Sequence, residues 1–68
     1  MIDLADFLYK ERIAQNLTQR ELAKIAGFPA PAIHRYETGM TDPSFFRAEC
    51  ILNALGYKID ITLEEPNE

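Results

Sequence analysis

Six residues, Leu17-Thr18-Gln19-Arg20-Glu21-Leu22, constrain the fold more than any other stretch of this chain. Thr18 and Glu21 stand three apart, the spacing of a capping box. In that motif the hydroxyl accepts from the N–H of the later residue, and the carboxylate accepts from the N–H of the earlier one. Leu17 and Leu22 fall on the two positions whose side chains meet across a helix start as a hydrophobic staple. A helix therefore begins at Thr18. It runs to Ala26, because Gly27 follows and glycine best tolerates the left-handed backbone that ends a helix.

The same punctuation divides the rest of the chain. Gly39 and Gly56 each follow a helix-like run, and Asn16 takes the corresponding place after the first one. The predicted helices cover about 3–15, 18–26, 30–38 and 43–55. The first is capped by Asp3 and has an apolar stripe of Leu4, Phe7 and Leu8, with Ile13 a further candidate. The third starts late, at Ala30 or Pro31, since Pro31 drives the residue before it away from helical angles. The fourth is capped by Asp42 or Ser44 with Pro43 near its first turn, and Phe45, Ala48, Ile51, Leu52 and Leu55 give its apolar face.

After Gly56 the period changes from helical to alternating. Tyr57, Ile59, Ile61 and Leu63 share one face, and Lys58, Asp60 and Thr62 the other, over a predicted strand at about 57–63. A lone strand leaves its backbone groups unpaired. No second strand of useful length is offered, so its natural partner is the same strand of another copy, paired antiparallel about a two-fold axis. Residues 64–68 form an acidic tail.

Size points to the same conclusion. A chain of 68 residues is one domain, and a domain this small is marginal without staples or a partner. Cys50 and His34 are the only residues of their kinds, which excludes an internal disulfide and makes a zinc site or other metal cofactor within one chain improbable. No apolar run approaches a membrane span and the start is not that of a signal peptide, so a cytoplasmic location without membrane contact is expected.

The net charge of −4 conceals an uneven distribution. Lys10, Arg12, Arg20, Lys24 and Arg35 face only Glu11 and Glu21 over residues 10–35, a local excess of +3, while the remainder carries −7. A locally basic face on an acidic body can attract phosphate.

The stretch from Gln19 to Glu37 resembles the helix-turn-helix of the lambda-repressor-like (phage-repressor, xenobiotic-response-element) family. The likeness rests on Leu17-Thr18-Gln19, Glu21-Leu22-Ala23, Gly27, Ile33, Glu37 and Gly39, with Pro43 and Ala54-Leu55-Gly56 fitting the fourth helix. The segment from Ile51 to Ile61 is similar to the end of HipB-type antitoxins, dimers that join C-terminal strands and bind both operator DNA and a toxin kinase. The resemblance implies a mainly α fold: a four-helix domain spanning 1–68 plus one C-terminal strand paired across a homodimer. It implies a transcriptional regulator whose partner is double-stranded DNA, with a toxin protein as a further candidate partner.

Residue roles follow from the resemblance. Ala30 and Pro31, then His34 and Arg35 one turn on, occupy the positions that face base edges. Thr18, Gln19, Arg20 and Thr38 lie where the family contacts the DNA backbone. Arg12 and Glu37 match a recurrent, partly buried ion pair. Ala and Pro cannot read donors and acceptors but can touch a thymine methyl, which leaves Arg35 as the main candidate for a guanine. Phe46, beside Phe45 and off the apolar stripe, is assigned to the dimer interface with Tyr57, Ile59, Ile61 and Leu63. No nucleophile–base pair or carboxylate pocket suggests an enzyme. The competing expectation is a protein-interaction module of the same fold, with DNA binding weak or lost.

Overall fold

The computed structural model describes residues 3–58, which form α1 (Leu4–Ala14), α2 (Gln19–Ala26), α3 (Ala30–Glu37) and α4 (Phe45–Ala54). Each start has a local cause. Asp3 caps α1 by accepting from the Ala5 N–H at 3.1 Å. At α2 the capping box forms in full: the Glu21 N–H donates to Thr18 Oγ1 at 3.0 Å, and the Thr18 N–H donates to Glu21 Oε1 at 2.8 Å. Ser44 caps α4 through the Arg47 N–H. Only α3 has no side-chain cap. Pro29 stands at its N-cap and Pro31 in its first turn, where the absent N–H has no helical acceptor to miss.

The four helices end alike. Asn16, Gly27, Gly39 and Gly56 all have positive φ, and the residue after each donates its N–H back to a carbonyl five residues earlier. At the α2 end, for example, the Phe28 N–H reaches the Ala23 carbonyl at 2.9 Å. This is the Schellman geometry. At Gly27, with φ +87°, it turns the chain directly from α2 into α3.

Leu8, Leu22, Ala23, Ala32, Ile33, Tyr36, Ile51 and Leu55 form one core, with Leu4, Leu17, Ala26, Phe28, Ala30, Leu52 and Ala54 packed around it. α2 lies against both α3 and α4, and α1 against α3. Ala23 and Ala32 bring α2 and α3 close, since larger side chains there would hold the helices apart. We expect Thr18→Ala to lower unfolding free energy by about 1 kcal/mol, the usual worth of an N-cap, as read by urea denaturation.

α4 begins at Phe45 with Ser44, one of the two expected caps, and Pro43 just before it. Sequence expectations are corrected at two positions. Phe45, assigned to the apolar stripe, is 60% exposed. It precedes the buried Ile51 by six residues, which at ~100° per residue sets it about 120° around the helix. Ile13 is also exposed, and the neighbouring Arg12 takes the buried place on α1. The strand expected at about 57–63, its pairing across a dimer and the acidic tail lie outside the described residues, apart from Tyr57 and Lys58. The Tyr57 ring packs against Phe7 of the same chain, centroids 5.6 Å apart and tilted by 56°.

Candidate nucleic-acid interface

The candidate site is built on the α2–turn–α3 unit. α3 buries Ala32, Ile33 and Tyr36 and exposes Pro31, His34, Arg35 and Thr38 on its opposite side. This division follows from helical spacing, with 32, 33 and 36 on one arc and 31, 34, 35 and 38 on the other. Ala30 belongs to neither group fully. It is half-buried and packs against the core, so Pro31 has the more accessible apolar surface. Thr38, the C-cap of α3, turns its hydroxyl back toward the carbonyls of His34 at 3.0 Å and Arg35 at 3.2 Å, which engages its only proton within the helix.

The start of α2 is drawn to this face by side-chain contacts. Gln19 Nε2 donates to Glu37 Oε1 at 3.1 Å and lies 3.4 Å from Nδ1 of His34. Thr18 and Arg20 flank it and are exposed. The position expected to hold the DNA backbone and a position expected to face bases are therefore in contact across the two helices.

Behind them lies the Arg12–Glu37 pair. Arg12 Nε donates to Glu37 Oε2 at 2.7 Å and Nη2 to Oε1 at 3.0 Å, with side chains 9% and 2% exposed. Arg12 Nη1 also donates to the Leu17 carbonyl at 2.6 Å. The guanidinium thereby ties α1, the α1–α2 turn and the end of α3 together. Its charge is spent internally. Lys10 is likewise paired, 2.9 Å from Asp6, which holds its ammonium above the usual lysine range by hydrogen bonding and charge. Among the described residues, the cations of the 10–35 segment left for phosphate are Arg20, Lys24 and Arg35, fewer than the charge count alone suggested.

Three contacts were not foreseen from sequence. Arg47 Nη1 donates to the Tyr36 hydroxyl at 2.8 Å, and its guanidinium lies 5.3 Å from the centre of the Phe28 ring, fixing the start of α4 on the helix-turn-helix unit. Gln15 Nε2 donates to the Leu55 carbonyl at 2.7 Å, joining the ends of α1 and α4. All three pairs are distant in sequence, and none has a local signature.

Phe46, assigned to a dimer interface, is 69% exposed. Tyr57, assigned with it, remains 42% exposed beside Phe7. Its phenol is held above the ordinary tyrosine range, first by hydrogen bonding to the Glu11 carboxylate and then by burial and that carboxylate's charge. Ile59, Ile61 and Leu63 lie outside the described residues. No helix of the described residues is long and apolar enough to cross a membrane.

A helix-turn-helix unit whose second helix is sunk by one face and bare on the other is the build of a DNA-binding regulatory domain. The comparison with protein families agrees: the helix-turn-helix family model matches residues 8–61. The chain belongs to that family, in its lambda-repressor-like branch, a family of DNA-binding regulators and not of enzymes. No curated protein matches the chain.

Proposed function

We propose that this protein is a homodimeric, sequence-specific regulator that grips a palindromic operator with the exposed face of α3. The observation that supports this most directly is the meeting of Gln19 and His34, which sets the start of α2 beside the bare face of α3. Arg35 reads a guanine, Pro31 and the edge of Ala30 meet thymine methyls, and His34 contacts a base edge. Thr18 and Arg20 take the backbone, with the free N–H groups at the start of α2 as a phosphate seat, while the Gln19 amide and the Thr38 hydroxyl keep their protons inside the protein. With so few direct readers, DNA shape carries part of the specificity. The dimer joins through the 57–63 strands and Phe46, and presents two reading helices about one DNA turn, ~34 Å, apart. The likeness of the C-terminal segment to HipB-type antitoxins supports a further role as autorepressor and antitoxin of a toxin pair.

Selection of bound duplexes from a random pool at near-physiological salt tests this reading. Enrichment of an inverted repeat supports it, and log affinity for that duplex falls against log salt with a slope of about −0.9 per phosphate neutralised. A folded, dimeric protein that enriches nothing would instead be a protein-interaction module, a use to which the exposed Ile25, Met40, Phe45 and Phe46 are suited. For the interface, Phe46→Ser is expected to weaken the dimer by at least tenfold in sedimentation equilibrium, the order of loss for a buried aromatic anchor. An unchanged dissociation constant removes Phe46 from the interface.

A further inference from the structure

The Gln19 amide joins a buried anion to the exposed face of α3. Its Nε2 is 3.1 Å from Glu37 Oε1 and 3.4 Å from His34 Nδ1. Glu37 is a carboxylate held in a fork by Arg12, so it only accepts. Reversing the amide would set the Gln19 oxygen against that carboxylate, two acceptors at hydrogen-bond distance with no proton between them. The NH2 group therefore faces Glu37, and its second hydrogen is the one available to His34. An Nδ1 that faces this donor must accept. In a neutral imidazole the proton then resides on Nε2.

We propose that the Arg12–Glu37–Gln19 chain fixes His34 as its Nε2–H tautomer, making residue 34 a hydrogen-bond donor toward DNA. The proposal rests on the DNA-reading function above and adds a specificity rule to it. In the major groove guanine offers N7 and O6, adenine N7 and thymine O4 as acceptors, whereas cytosine offers only its amino donor. His34 accordingly admits guanine, adenine or thymine and rejects cytosine at the base it meets. Gln19 acts as a positioning residue: it sets which nitrogen of His34 carries the proton, and its influence reaches the base through that ring. The buried pair thus has a second consequence, because it orients the amide that orients the imidazole.

The ring nitrogens can be read directly by long-range proton–nitrogen NMR on the full chain without DNA, at a pH above the imidazole titration. We expect Nε2 to be the protonated nitrogen in essentially the whole wild-type population. Gln19→Ala should let the two tautomers mix. Gln19→Glu, which offers an acceptor to Nδ1, should move the proton toward Nδ1. An Nδ1–H ring in the wild type, or identical ring shifts in wild type and Gln19→Ala, would overturn the assignment. In random-duplex selection, the position whose preference vanishes in His34→Ala should hold guanine, adenine or thymine in the wild type, favoured over cytosine by about fivefold to tenfold, the low end for a base contact. Cytosine at that position overturns the specificity rule. If the wild type binds no duplex, the DNA-reading function and the specificity rule fall together, while the NMR result still decides the tautomer.

Discussion

Arg12→Met lowers the melting temperature by roughly 12 °C or more, or prevents folding at ambient temperature. The reason is not the strength of the Arg12–Glu37 attraction, which is largely offset by the cost of taking both ions out of water. It is the state left behind. Without Arg12, the Glu37 side chain, 2% exposed, keeps its charge inside the protein with only the Gln19 amide to solvate it. The Leu17 carbonyl also loses the donor at 2.6 Å. Breaking one side of such a pair costs about 3–5 kcal/mol. A domain of this size has only about 3–10 kcal/mol in total, at the usual stability per residue. Each kcal/mol moves the melting point of so small a domain by about 4–8 °C. The double variant Arg12→Met with Glu37→Leu should recover part of the loss, because no unpaired charge remains. A melting temperature unchanged in the single variant would show that the pair does not behave as a buried one. A double variant as unstable as the sum of the two singles would show that the two residues are not coupled.

Arg35→Ala carries the largest expected effect on recognition. Arg35 is exposed on α3, and its side chain makes no hydrogen bond among the described residues, so its removal should leave folding intact. A bidentate contact to guanine discriminates by about 1–3 kcal/mol, which corresponds to roughly 5- to 150-fold in affinity for the selected duplex. The result expected in random-duplex selection is the loss of one base preference in each half-site, with the rest of the repeat retained. Arg20→Ala provides the contrast. A phosphate contact reads no sequence, so its loss should weaken all duplexes alike and reduce the salt slope by about 0.9. If Arg35→Ala instead behaves like Arg20→Ala, Arg35 lies on the backbone and the base-reading assignment fails.

The helices that carry the site were legible because their boundaries are set by neighbours in sequence. The Thr18–Glu21 box, the left-handed residues Asn16, Gly27, Gly39 and Gly56, and the two prolines of α3 act within one turn of chain. Periodicity separated most of the core from the surface for the same reason. It failed at Phe45 and Ile13, where apolar side chains sit at helix positions that the other helices do not cover. The Arg12–Glu37 match came from resemblance and not from spacing, since nothing local joins residues 25 apart.

What sequence determined by itself is the set of segments: where each helix starts and stops, which arc of α3 is apolar, and the family to which that pattern belongs. Capping, left-handed turns and helical period are short-range effects, so the residues that cause them lie beside the structure they produce. Tertiary structure alone decided what those segments do to one another. It spent Arg12 on a buried anion, set Arg47 over Phe28, and laid the Gln19 amide between Glu37 and His34. Such contacts depend on the distance and direction between side chains on different helices. Packing fixes those quantities only once the core has closed.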